Sequence, residues 1–268
     1  MGAGYSLSAV VRDGFGIQVI AWAVAAALQT EKFYDMVGTS TFAFLSLRSF
    51  LSKKNPLTRN YVNTGIIVSW AARLGSFLVD RVHRDGGDRR FDQVKTKPAK
   101  FLFYWLMQGL WCVATGLPVY LINTKSENPE GSEEITARDI AGWSLWLAGF
   151  VLQVTADRQK RIFRKENPGM FITTGVWAWS QHPNYFGEML MWGSLWLSSS
   201  AQMTGVELAT VLCPMFNFIL LRYVSGVPIL QYHAKKRWGD NPLFQAYMAQ
   251  TNLLFPNPFA SPVRVKKE

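Results

Sequence analysis

The residues best suited to chemistry form one polar stretch, residues 182–188, which reads His-Pro-Asn-Tyr-Phe-Gly-Glu and opens an apolar segment. Pro183 is favourable in the first turn of a helix, so Asn184 and Glu188 are expected four residues apart on one helix face. A carboxylate at the start of an apolar helix needs a partner, for which arginines elsewhere in the chain are candidates. His182 is either a group that titrates or donates a hydrogen bond, or a structural capping residue.

Two further arginine-bearing features could join that site. In residues 157–165, helical spacing brings Asp157, Arg161 and Arg164 to one face, where an acid and two bases point together. The alternative for this stretch is a solvated helix end with a local salt bridge. Arg222 lies inside an apolar segment, and it either marks a polar interior or extends its charge to the membrane interface.

A third basic stretch, residues 81–91, contains the pair Arg89 and Arg90 after Gly86 and Gly87. Guanidinium groups bind phosphate through two parallel hydrogen bonds, and glycine lets backbone N–H groups come close to an anion. The stretch is therefore an anion site or, equally, a cytoplasmic loop that contacts lipid headgroups.

Several familiar sites are absent from the sequence. It has no GxGxxG after a strand, no Walker sequence, no HExxH and no GxSxG, which argues against a soluble nucleotide domain, a zinc protease and a serine hydrolase. With three histidines and two cysteines at no metal-ligand spacing, we expect no metal centre and no disulfide. The net charge is +10, but the basic residues form no continuous stripe, so nucleic acid is not an expected partner.

The elements that position these residues are membrane helices. Apolar residues make up 49% of the 268, and 17% are charged, against roughly 25% in ordinary globular chains. Seven apolar segments approach the length of a bilayer span: Gly14–Gln29, Phe33–Leu51, Tyr61–Val79, Phe101–Ile122, Ile140–Thr155, Tyr185–Ser200 and Val206–Val227. We therefore predict an all-α, multi-pass transmembrane bundle of about seven spans. The basic loops predict an outside amino terminus and a cytoplasmic carboxyl terminus.

These motifs together resemble the steroid 5-alpha-reductase C-terminal-domain-like family of integral membrane proteins. The resemblance rests on residues 175–188, on Asp157, Arg161 and Arg164, on residues 224–228, and on the closing Thr-Asn-Leu-Leu-Phe-Pro at residues 251–256. Residues 88–91 resemble the family's central loop. The resemblance covers roughly residues 60–258 and implies three parts: amino-terminal helices over 1–59, a reductase-like membrane domain over 60–258, and a basic tail over 259–268.

What the resemblance implies is a seven-helix, NADPH-dependent reductase that delivers hydride to a carbon–carbon double bond of a lipid or steroid-like substrate in the endoplasmic reticulum membrane. The implied cofactor-binding residues are Asp157, Arg161, Arg164, Asn184, Glu188, Arg222, His182, Arg89 and Arg90. An anionic dinucleotide requires an arginine-rich cytoplasmic mouth, which agrees with the charge pattern. Membrane lipids are expected neighbours, and no oligomeric state follows.

The substrate end departs from the family pattern. Steroid reductases carry a Gln-Glu pair in an early helix and a tyrosine in the third, whereas this chain offers Gln29, Glu31 and Trp70. Tryptophan cannot protonate an enolate, so either the substrate differs or the proton comes from another residue, with Tyr61, Tyr104 and Tyr185 as candidates. We predict Tyr185 and Tyr104 as the catalytic residues. Two alternatives stay open: an S-adenosylmethionine-dependent membrane methyltransferase, whose carboxyl half is also similar, and a non-catalytic lipid-binding protein of the same fold.

Overall fold

The computed structural model describes residues 5–88, 91–132, 134–260 and 263, without the side chain of Asp85. Ten α-helices and no strand occur in the described parts of the chain. The helices are α1 Leu7–Ala27, α2 Tyr34–Leu51, α3 Thr58–Asp85, α4 Pro98–Thr124, α5 Ala137–Glu166, α6 Val176–Trp179, α7 Pro183–Ser199, α8 Leu212–Ile219, α9 Val227–Trp238 and α10 Pro242–Gln250. The prediction of an all-α fold is confirmed.

The helix ends follow local sequence signals. α1 begins after Ser6, whose hydroxyl accepts a hydrogen bond from the Ala9 N–H, and Pro98 occupies the first turn of α4. α3 ends at Asp85 and is followed by Gly86, which adopts the left-handed conformation with φ of 80° that is costly for other residues. Each of the seven predicted segments is therefore built largely from helical residues.

Among the residues that the structure describes, four helical runs are long and apolar enough to cross a membrane. They are Leu7–Ala27, Thr58–Arg84, Pro98–Thr124 and Gly205–Trp238. α7 is shorter, with 17 residues, and α5 carries charged residues in its first and last turns. These four apolar helices indicate a membrane protein. The prediction of about seven spans goes beyond them and stays a prediction, as do the membrane orientation and the division at residues 59 and 258.

The chain forms two compact units, the first of which contains Met1–Ile140 and Leu195–Cys213. Buried amides join its helices: Gln18 on α1 donates to Thr41 on α2 over 2.9 Å, and Gln108 on α4 donates to Gln18 over 2.9 Å. Asn60 on α3 donates to Asn123 on α4 over 3.0 Å. Side-chain amides inside apolar helices stabilise a helix bundle when their donors and acceptors are paired.

The second unit contains Ala141–Ser194 and Pro214–Glu268. Its last apolar run changes from α-helix to a π-helical turn at Leu220–Val224, which contains Arg222, and resumes as α9 at Val227. π-Helical turns widen the backbone locally and are frequent at functional sites. This unit holds most of the residues that the sequence singled out.

Candidate functional site

The site is built on the loop between α5 and α7, residues 167–182, which contains the short helix α6. In that loop the Val176 N–H donates to the Gln159 side chain over 3.0 Å, and the Trp177 indole N–H donates to the Ala156 carbonyl over 3.0 Å. Gly175 adopts a φ of 63°, and a Cβ at this position would collide with the side-chain oxygen Oε1 of Gln159. Only glycine fits both constraints, so the loop is held tightly against α5.

The carboxyl-terminal segment holds the other side of the same loop. The Tyr247 hydroxyl donates to the Trp177 carbonyl over 2.8 Å, and the Ser180 hydroxyl donates to the Leu254 carbonyl over 2.8 Å. The Gln181 side chain donates to the Thr251 carbonyl over 2.7 Å. The closing motif of the sequence therefore acts as a strap that positions the residues immediately before α7.

α7 starts at Pro183 and lies close to α5. A Cβ on Gly187 would stand 2.6 Å from the Gly149 carbonyl oxygen, so glycine at both positions allows the two backbones to approach. Tyr185 stacks on His182, with ring centroids 5.6 Å apart and nearly parallel planes. This close packing carries the polar residues of α7 toward those of α5.

Glu188 is buried, and both of its oxygens accept hydrogen bonds within this unit. Gln153 on α5 donates to Oε2 over 2.5 Å, and the Trp192 indole donates to Oε1 over 2.7 Å. Asn184 donates to Asp157 over 3.4 Å. The sequence predicted arginine partners for this carboxylate, and the structure also gives it two neutral donors, one from α5 and one from α7.

A pocket of about 230 Å³ lies between the end of α5, the loop and the helices α9 and α10. Three cations, Lys160, Arg164 and Arg237, line it, and none of its described lining residues is acidic. Aromatic rings form part of the remaining wall, where Phe171 packs on Trp238 at 5.5 Å between centroids. A concave surface that is both cationic and aromatic suits an anion attached to a planar ring.

The charges in this pocket influence one another. Burial, together with the nearby Lys160 and Arg222, lowers the pKa of His182 to about 3, so this histidine is neutral at pH 7. Burial and Arg164 lower the pKa of Lys160 to about 8, against a smaller opposing effect of Asp157. Lys160 stands 4.4 Å above the Trp177 ring. The pocket therefore concentrates positive charge that a bound anion would neutralise.

The predicted site residues divide into groups. His182 and Arg164 line the pocket, while Asp157, Asn184 and Glu188 take part in the α5–α7 hydrogen bonds. Arg222 lies in the π-helical turn, Arg161 is exposed on α5, and Tyr185 stacks on His182. Tyr104 lies in the first unit and is 39% exposed. Arg89 and Arg90 lie outside the described residues.

Sequence reasoning missed Lys160 and Arg237, which also line the pocket. Lys160 lies four residues before Arg164 and so shares its helix face, a signal that was available in the sequence. Arg237 could not have been found in that way, because it lies far along the chain and reaches the pocket only through the fold.

Trp70 and Glu31, which depart from the steroid reductase pattern at the predicted substrate end, have other partners in this structure. Trp70 is buried in the first unit beside Phe42, with ring centroids 5.0 Å apart. Glu31 forms an ion pair of 3.0 Å with Lys95 and accepts from the Asp88 N–H. Burial alone would raise the pKa of Glu31, but these bonds outweigh it and hold the pKa below its usual value. Glu31 therefore ties the loop after α3 to the turn before α2.

The comparisons with known proteins give a family and no individual relative. No curated protein and no solved structure matches the chain. The family model described as a protein of unknown function, DUF1295, matches residues 21–251. Since this match covers most of the chain, the protein belongs to the DUF1295 family.

Proposed function

We propose that this protein is an integral membrane reductase that uses NADPH to reduce a carbon–carbon double bond in a lipid or steroid-like substrate. The observation that carries the proposal is the pocket of the second unit, where Lys160, Arg164 and Arg237 meet an aromatic wall. Membrane helices alone would fit many functions, but this combination is suited to a nucleotide with several phosphates.

The donor set fits NADPH in three respects. Arginine matches phosphate oxygens in pairs, the aromatic rings offer stacking surfaces, and the neutral His182 can donate or accept one hydrogen bond. S-Adenosylmethionine carries no phosphate, and the three cations that line the pocket would repel its sulfonium. This charge pattern favours the reductase over the methyltransferase.

When bound, NADPH supplies a hydride to one carbon of a conjugated double bond. The neighbouring carbon then needs a proton, for which Tyr185 is the better of the two predicted sources. Tyr185 belongs to the same unit as the pocket and stacks on His182, which lines it. The Tyr185 hydroxyl gives its proton to the substrate and regains one from water, which balances the two-electron reduction.

The resemblance to steroid reductases supports the same proposal. The residues that carry it, Asp157, Asn184 and Glu188, are linked across α5 and α7 by the hydrogen bonds described above. The Trp70 substitution argues for a substrate held differently from a 3-ketosteroid. The proposed class is therefore a conjugated lipid, with steroids as one member.

The first test is a thermal-shift titration of the detergent-purified protein with NADPH, NADH and S-adenosylmethionine. A ligand that binds only the folded protein raises the unfolding midpoint by mass action. We expect NADPH to raise it, and we expect Arg164→Ala to weaken that response. Arg158→Ala is the matched control, because Arg158 is exposed on the same helix and does not line the pocket.

Each alternative has its own result in this titration. A response to S-adenosylmethionine alone would assign the protein to the methyltransferases. A flat response to all three compounds would favour the non-catalytic lipid-binding protein. Equal responses of the Arg164→Ala and Arg158→Ala variants would remove the pocket from the cofactor site.

The proposed location is the endoplasmic reticulum membrane with a cytoplasmic carboxyl terminus, because the cofactor would then be available to the pocket from the cytoplasm. A Glu130→Cys variant tests the orientation, since the native Cys112 and Cys213 are buried and contribute little labelling. We expect an impermeant thiol reagent to label residue 130 only from the outer face. Labelling from the cytoplasm would reverse the topology.

A further inference from the structure

The pocket is too small for a whole dinucleotide. Its volume of about 230 Å³ is below the roughly 300–1,000 Å³ that is usual for drug-sized ligands, which are themselves smaller than NADPH. Only one end of the cofactor can occupy it.

The charge of the pocket selects the adenosine end. The nicotinamide ring carries a neutral carboxamide, which suits amide and carboxylate partners such as Asn184 and Glu188. Neither of these residues lines the pocket, and Glu188 is already bonded to Gln153 and Trp192. The ribose 2′-phosphate of NADPH carries a charge near −2, which suits a cationic pocket.

Lys160 is the cation best placed to tell this phosphate from a hydroxyl. It is half-buried above Trp177, and no ion pair joins it to a carboxylate in the described parts of the chain. Arg164 and Arg237 flank it along the pocket wall. An ammonium group held among other cations is stabilised by an added phosphate more than by a neutral hydroxyl.

We infer that this pocket binds the adenosine 2′-phosphate end of the cofactor, and that Lys160 determines the preference for NADPH over NADH. The inference rests on the proposed function, because it assigns one subsite of the same cofactor. The aromatic wall of Phe171 and Trp238 provides the face on which the adenine ring stacks.

The test measures dissociation constants rather than activity. Wild-type protein, Lys160→Gln and Lys160→Arg are titrated with NADPH, NADH and adenosine 2′,5′-bisphosphate. Lys165→Gln is the matched control, because it makes the same change at an exposed position on the same helix, outside the pocket. Lys160→Arg keeps the charge and so separates lost charge from altered packing.

We expect Lys160→Gln to weaken NADPH and the bisphosphate by about tenfold or more, the usual effect of a lost charged hydrogen bond, and to leave NADH unchanged. Lys160→Arg should retain the preference for NADPH, and Lys165→Gln should behave as wild type. The bisphosphate should compete with NADPH for one site.

Two results would overturn the inference and leave the reductase standing: an equal loss of NADPH and NADH affinity in Lys160→Gln, or no loss of either. Binding of the bisphosphate but not of NADPH would support the adenosine-binding pocket and contradict the proposed reductase function. If neither compound binds the wild-type protein, both proposals fail.

Discussion

The sharpest structural prediction concerns a buried ion pair in the first unit. Arg59, in the first turn of α3, donates through Nε and Nη2 to the two oxygens of Asp139, in the first turn of α5, over 2.8 and 2.7 Å. Its guanidinium also donates to the carbonyls of Ser132 and Glu134. The side chains of Arg59 and Asp139 are 2% and 0% exposed. We predict that Arg59→Met strongly destabilises the protein.

The magnitude follows from what the substitution leaves behind. Burial raises the pKa of Asp139, but hydrogen bonds from Arg59 and Thr136 outweigh burial and hold the pKa below its usual value. The carboxylate is therefore charged at neutral pH, and removing the arginine would leave this buried charge without its positively charged partner. Breaking one side of a buried pair costs about 3–5 kcal/mol. For a chain of this size, that loss lowers the melting temperature by on the order of 10 °C.

The assay is thermal unfolding of detergent-purified protein. The double variant Arg59→Met/Asp139→Leu should recover much of the loss, because it leaves no uncompensated charge. Arg12→Met is the control, since Arg12 pairs with Asp13 at the surface and its removal should change the midpoint little. If the single Arg59→Met variant melts like wild type, or the double variant loses more than the single, the reasoning is refuted.

Three further predictions concern the second unit. Gly187→Ala should clearly lower the melting temperature, because its Cβ would stand 2.6 Å from a backbone oxygen of α5. Gly193→Ala is the control and should not lower it, because the space around Gly193 is open. Equal effects of the two variants would contradict the close contact between α5 and α7. NADPH affinity should fall as pH rises above about 8, because the Lys160 amine must then take up a proton on binding; the fall should be no more than about tenfold per pH unit. The dissociation constant measured at about pH 7 and about pH 9 checks this. An affinity that does not change with pH would count against it. Tyr247→Phe removes the hydrogen bond to Trp177 and should cost about 1 kcal/mol in urea unfolding, together with weaker NADPH binding; unchanged values would mean that the strap does not hold the loop.

Much of the helical architecture was readable from local sequence. Runs of apolar residues, proline at helix starts and Gly86 at the end of α3 act over a few residues, so they mark helices without knowledge of the fold. Some helices extend past the apolar runs, as α5 does through its charged end to Glu166. The backbone hydrogen bonds of a helix do not require apolar side chains, so apolar runs do not mark where a helix ends. The number of spans depends on the bilayer as well, and local patterns do not settle it.

The candidate site was readable only in part. His182 and Arg164 were singled out from motif and spacing, and both line the pocket. Tyr104 was paired with Tyr185 by residue type alone, although the two belong to different compact units. Arg59 resembles several other basic loop residues in the sequence, and no nearby residue indicates that it forms a buried ion pair with Asp139.

The sequence by itself determined an all-helical chain with apolar membrane-length helices, a cationic face at the end of α5 and a polar start to α7. These properties depend on residues a few positions apart, where helix geometry fixes the distance. Tertiary structure alone decided that Gln153 and Trp192 bind Glu188, that Arg237 joins Lys160, and that the carboxyl-terminal strap holds the loop. Hydrogen bonds and pockets require atoms to meet within a few ångströms, and for residues distant in sequence only the folded backbone sets that distance.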